Sequence, residues 1–439
     1  MMDNKNKTEL HWKSLALVVV FLVSCGGASA AEVDAEFRAG YTVSDNIFLQ
    51  PEDGIEDSIW SAGLTLSIFE ESNRTLVDVR LVADYLNYFD TFDSETVGAL
   101  DALFDYDFVE NYFSWRIQNN YGQRLADPLG TPNPGNRENI NFFTTGPNVD
   151  IPMGERYFLG LEGRISSVRY EESVNENDRT SGLLRLARRT DGNAVMSLNV
   201  ATENIEYANG ATAEDFRVNE AFVAYDANND RNIILVNVGY AEVESDNDSA
   251  DGYLVRAQWT RFTTESKTFL VSAGSEYSSQ GDVFRLSQSN GRAIGGTVDA
   301  STNDIPFRNN YFYSRYSATG DRTRMSIEVD WSQEDFEYQD PLAVALDRDI
   351  LRGSFDIERD ITRKFYVGLE LRYRTRDYKF VDRDDDDIRV IATLGFRFSD
   401  AFNMFLSYRY QDRDSNDVTE SFTENRGTIG FEYIPAWGR

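Results

Sequence analysis

From Val33 onward the chain repeats one simple unit about eighteen to twenty times: a stretch of alternating apolar and polar residues closed by a cluster of Asp, Asn, Gly or Ser. Around Phe365, one set is Phe365, Val367, Leu369, Leu371 and Tyr373, and the interleaved set is Tyr366, Gly368, Glu370, Arg372 and Arg374. A strand puts the two sets on opposite faces. The same period runs through Ile388, Val390, Ala392, Leu394, Phe396 and Phe398, through Met325, Ile327, Val329 and Trp331, and through Phe402, Met404, Leu406, Tyr408 and Tyr410. Soluble strands average about five or six residues. These pass ten, the length that crosses a bilayer at a tilt. The polar face carries Arg, Glu and Asp near mid-strand, whereas the other face is aliphatic with Tyr, Phe and Trp toward the strand ends. That is the pattern of a wet lumen inside and lipid outside, edged by aromatic girdles. The predicted fold is all-β: a single transmembrane antiparallel up-and-down β-barrel within residues 31–439. Counting from Val33 gives twenty strands, with eighteen as the alternative.

Connection lengths carry the same signal. Short turns fall at Glu71-Ser72-Asn73, Gly154-Glu155, Asp191-Gly192-Asn193, Gly320-Asp321 and Ser399-Asp400. Longer or more charged links fall between them, at Ser44 to Asp57, Arg124 to Arg137, Glu244 to Asp251, Gln280 to Asp304, Phe336 to Asp347, Val381 to Asp387 and Gln411 to Glu420. Bacterial barrels have short periplasmic turns and long outer loops, which predicts that both termini are periplasmic. Gly281 to Ile305 reads as one loop or as a short extra hairpin.

Residues 1–30 read as a secretion signal: Lys5, Lys7 and Lys13 precede the apolar run Leu15 to Val23, and Ala28-Ser29-Ala30 supplies the small residues of a cleavage site. Cleavage between Ala30 and Ala31 is expected. The rival is Leu22-Val23-Ser24-Cys25, a lipobox-like run that would leave Cys25 acylated. Cleavage at Ala31 would remove the chain's only Cys and only His, Cys25 and His11. A mature chain without them has no thiol nucleophile, no Ser-His-Asp triad, no zinc site of the usual ligands and no His-ligated haem. No enzymatic activity, metal or cofactor is expected.

Composition narrows the partners. With 74 Asp and Glu against 43 Lys and Arg, the formal charge is −31, the wrong sign for nucleic acid. The acids crowd into the predicted outer links: Glu52, Asp53, Glu56 and Asp57; Asp246, Asp248 and Asp251; Asp382 and Asp384 to Asp387. They read as a solvated surface, or as ligands for divalent cations bridging to lipopolysaccharide phosphates. The predicted inward face instead mixes acids with arginines: Arg80, Arg164, Arg256, Arg324, Arg372, Arg374, Arg397 and Arg409. Such residues either pair across strands and stiffen a wet lumen, or leave unpaired guanidinium groups along which an anionic solute moves. Arg372, Arg374, Arg397 and Arg409 are expected to share one wall patch, with Glu370 as the only carboxylate on those stretches.

The run Ala39-Gly40-Tyr41-Thr42-Val43-Ser44-Asp45-Asn46-Ile47-Phe48-Leu49, then Trp60 to Leu66 and Arg80 to Phe89, resembles the opening of the second type of β-barrel porin. These outer-membrane barrels accompany exopolysaccharide biosynthesis and protein sorting by a Pro-Glu-Pro tail signal. The resemblance implies an outer-membrane conduit, in several cases for a secreted polysaccharide, with no catalytic residues to carry over. It implies as partners outer-membrane lipid and lipopolysaccharide, the barrel assembly machinery and polysaccharide export components. The chain ends Phe431-Glu432-Tyr433-Ile434-Pro435-Ala436-Trp437-Gly438-Arg439 and not on a terminal Phe, so its insertion signal is expected at Gly427 to Tyr433. A structural or adhesive barrel with a closed lumen is the competing class.

Overall fold

The computed structural model describes residues 31–435 apart from 191–192, 209, 212, 247, 280, 283, 286–305 and 337–345. Among these residues twenty strands form one sheet. The first ten are β1 (Glu32–Ser44), β2 (Asp57–Glu71), β3 (Thr75–Tyr88), β4 (Glu95–Val109), β5 (Phe113–Arg124), β6 (Glu138–Pro152), β7 (Tyr157–Tyr170), β8 (Asn177–Arg189), β9 (Ala194–Tyr207) and β10 (Phe216–Asn229). Then come β11 (Asn232–Ser245), β12 (Ser249–Thr264), β13 (Lys267–Ser278), β14 (Phe307–Thr319), β15 (Thr323–Asp335), β16 (Arg348–Asp360), β17 (Phe365–Tyr378), β18 (Arg383–Arg397), β19 (Phe402–Ser415) and β20 (Phe422–Tyr433). Each pairs antiparallel with its neighbours in sequence, and β1 pairs with β20, so the sheet closes. Closure satisfies every sheet edge, the condition for a β structure in hydrocarbon. With strands about 4.8 Å apart and tilted by roughly 40°, twenty of them enclose a barrel on the order of 40 Å across.

The two faces separate as the alternation predicts. Leu369, Leu371, Leu394, Leu406 and Ile429 are exposed on one face. Aromatic side chains fringe them toward both strand ends: Phe37, Phe365, Phe398, Phe402 and Tyr433 near the short turns, Tyr41, Trp60, Tyr85, Tyr373 and Tyr408 near the longer loops. The other face is the lumen. Arg179 on β8 reaches Ser279 and Asp282, which follow β13. A contact five strands away is possible only on the concave side of a closed sheet. No helix among the described residues is long and apolar enough to cross a membrane.

Glycines admit aromatic rings onto the inner wall. Tyr366 stands opposite Gly395 and Phe405 opposite Gly430, and a Cβ on either glycine would collide with the facing ring. The ring covers the gap a glycine leaves in a strand. Gly395→Ala forces Tyr366 off its position and is expected to cost about 1–3 kcal/mol, read as a lower urea midpoint for the detergent-folded barrel; an unchanged midpoint refutes this packing role.

The seam is the shortest ladder that closes the barrel. β1 and β20 share the register from Phe37↔Tyr433 to Ser44↔Arg426, reinforced by Thr42 with Thr428 at 2.8 Å, Ser44 Oγ donating to Glu424 at 2.5 Å and Asn425 donating to Asp45 at 2.7 Å.

Three of the expected links are corrected. Asp382 to Asp387 is not a solvated loop, because β18 starts at Arg383 and only 379–382 connect it to β17. Its alternate residues Asp385 and Asp387 point inward and are buried, held there by arginines. β19 likewise extends to Ser415, and β11 and β12 are separated by 246–248 alone. Of Gly281 to Ile305, only 281–282 and 284–285 lie within the described residues, as does none of the signal region 1–30.

Candidate lumenal site

Strand register decides which arginines meet. The eight expected from sequence share the inward face but scatter over the wall. Arg80 stands opposite Asp101 on β4. Arg164 is spent on Glu162, Asn148 and the carbonyls of Pro147 and Gly163. Arg256 is clamped between Glu220, two strands away, and Glu276. Arg324 binds Glu358. Arg397 pairs with Asp360 at 2.6 Å and lies over the Tyr366 ring, beside the short turns. It therefore does not join Arg372, Arg374 and Arg409. Eight residues along β18 separate it from Arg389, roughly 26 Å.

Arg389 and Arg426 take its place. Arg372 faces Arg389 across β17 and β18, Arg409 faces Arg426 across β19 and β20, and Arg352 faces Arg374 across β16 and β17. In strands tilted by roughly 40°, a step of two residues along a strand combined with one strand across returns to nearly the same height. The six arginines thus form an arc at one level, about 20 Å long. Four carboxylates serve them: Asp330 binds Arg352 at 2.8 Å, Glu370 binds Arg372 at 2.6 Å, Asp387 binds Arg374 at 2.9 Å, and Glu424 binds Arg409 at 2.6 Å and Arg426 at 2.5 Å. Glu370 is thus not the only carboxylate at the patch. Asp356, directly opposite Glu370, adds a fifth carboxylate beside Arg372, so the arc retains a small positive surplus, centred on Arg389.

Toward the loop end the wall becomes a buried ion network. Asp387 accepts from Arg374, Arg376 and Arg413, and Asp385 from Arg383, Arg376 and Ser415. Arg376, Arg413, Arg124, Arg179 and Arg348 are all nearly inaccessible to solvent. Each is partnered: Arg124 with Glu138 at 2.7 Å, Arg348 with Glu334 at 2.9 Å, Arg179 with Asp282 at 3.3 Å. Burial disfavours the Asp282 anion, but Arg179 and Arg285 outweigh it and hold the carboxyl below its ordinary range. The alternation marks Asp385 and Asp387 as inward-facing; the density of acid around them mimics a loop.

The loop between β5 and β6, residues 125–137, crosses this end. On one side Asn133 donates to the Phe48 carbonyl at 3.2 Å, and Arg137 binds Glu95 at 2.8 Å. On the far side Arg383 of β18 donates to the Leu129 carbonyl at 2.5 Å, and Leu129 packs against Phe307, Phe336 and Leu346. Asp127 and Asn136 bond to each other within it. The loop is a strap spanning the mouth. Among the described residues no group of three or more His, Cys, Asp or Glu side chains is arranged to hold a metal ion.

The strands that hold the arc carry a family signature. Residues 351–433, the stretch from β16 through β20, match the family model described as "Putative beta-barrel porin 2". Over these strands the chain is similar to that porin family. The match falls on the last strands of the barrel, whereas the resemblance in the sequence is sharpest in its first strands. No curated protein matches the chain. Solved structures similar to this barrel include OpdQ of Pseudomonas aeruginosa (12% identity, TM-score 0.41, covering 93% of this chain and 100% of that one). Others are the FrpB iron transporter of Neisseria meningitidis (8%, 0.43, 92% and 81%) and OmpT of Vibrio cholerae (12%, 0.36, 93% and 100%).

Proposed function

We propose that this porin-type barrel conducts anionic solutes, acidic exopolysaccharide chains included, past the arginine arc, with the loop end outside the cell and both termini periplasmic. The observation that carries this reading is the uncompensated charge of the arc. In a protein of net charge −31, six guanidinium groups stand at one level of the lumen, and Arg389 among them has no carboxylate bonded to it. Rings of fixed charge at one level set the sign of the permeating ion. Guanidinium forks suit carboxylate, sulfate and phosphate groups alike.

Single channels in planar bilayers under a KCl gradient test it. The wild type is expected to prefer chloride, and Arg372→Gln with Arg389→Gln to reduce the chloride-to-potassium permeability ratio by about twofold or more. Arg397→Gln, outside the arc, should leave the ratio where it was. A wild type without anion preference refutes the proposal.

The strap favours a second reading, a structural barrel closed at its loop end. That reading requires that the wild type and a strap-deleted variant both fail to conduct.

A further inference from the structure

Like charges directly opposite each other on neighbouring strands are destabilising, yet the arc holds three such pairs. In two of them each guanidinium group has a carboxylate to bond to. Arg352 has Asp330 and Arg374 has Asp387; Arg409 and Arg426 share Glu424. The central pair is compensated on one side only. Glu370 takes Arg372, and Arg389 makes no hydrogen bond or ion pair with any described residue, although it is only partly exposed.

The next strand adds unspent donors at the same place. Gln411 stands directly opposite Arg389. Its side chain is buried, and its amide has no partner among the described residues. Arg409, two residues from Gln411 and diagonal to Arg389, has a buried Nε without an acceptor. A guanidinium group only donates, and a buried donor left unmade is costly. Three neighbouring residues therefore offer hydrogen bonds that no protein acceptor takes.

We infer that Arg389, Gln411, Arg409 and Arg372 form a discrete seat for a doubly charged oxyanion of the sulfate or phosphate-monoester class. The oxygens of such an ion can accept from a guanidinium fork on one side and an amide on the other, whereas chloride cannot bridge both. This deepens the anion-conducting reading and takes its biological setting from it, but the binding chemistry is measurable without conduction.

The test is calorimetric titration of the detergent-folded full barrel at low ionic strength with sodium sulfate and with glycerol phosphate. Sulfate should bind equally at pH 8 and pH 5. Glycerol phosphate, whose second proton leaves near pH 6, should bind at pH 8 and weaken by about tenfold at pH 5 as it becomes a monoanion. Arg389→Gln should weaken sulfate by about tenfold or more and Arg389→Lys by less, because lysine keeps the charge and loses the fork. Removing Arg389 strands no partner, so heat-modifiable migration in gels should confirm that both variants fold. Sulfate binding that survives Arg389→Gln, or that equimolar chloride displaces, overturns the seat. A barrel that prefers chloride over potassium yet binds no sulfate loses the seat and keeps the proposed function. A barrel that binds sulfate through Arg389 yet never conducts keeps the seat and loses the proposed function.

Discussion

Cutting the strap should open the mouth. Replacing residues 127–135 by a short Gly-Ser linker leaves the buried Arg124 and Glu138 pair at its base and removes Leu129 and Asn133, the two points that tie it to opposite sides of the rim. Single-channel conductance is expected to rise by about threefold or more, because access at the narrow end governs the current through a wide barrel. The double variant Leu129→Asp, Arg383→Gln keeps the loop and breaks only its far attachment. It should give intermittent openings to the same level. If both variants conduct like the wild type, the strap does not obstruct the path.

Asp387→Asn should be the most destabilising single change. Three arginines, Arg374, Arg376 and Arg413, converge on this one buried carboxylate. Neutralising it leaves them in mutual repulsion within a poorly solvated wall, and losing one partner of a buried pair costs about 3–5 kcal/mol. The urea midpoint of the folded barrel should fall accordingly. Adding Arg413→Met should recover part of the loss, because the second change removes a charge that has lost its partner. An equally unstable double variant would place the cost in packing instead of electrostatics.

The barrel itself was legible because strand alternation is local: the period of two assigns each residue a face without knowledge of its neighbours. The arc was only half legible. Face alone cannot separate Arg389 from Arg397, which share it; height depends on how β18 is registered against β17 and β19, a non-local quantity. The acid run beginning at Asp382 shows the converse failure. Its composition is that of a loop, and only the arginines on the strands beside it, Arg374, Arg376 and Arg413, make a strand of it. The strap was read correctly as a link from Arg124 to Arg137, but its course across the mouth depends on Leu129 finding Phe307, Phe336 and Leu346, contacts that no periodicity announces.

The seam between β1 and β20 gives the molecule a form of quality control. Glu424 neutralises Arg409 and Arg426 at one end of the arc, and it is itself fixed by Ser44, which arrives only when the first strand zips onto the last. A chain that inserts but fails to zip would carry an unfinished electrostatic surface beside a gap in its wall. Leakiness and loss of discrimination among solutes should therefore appear together in assembly-defective molecules.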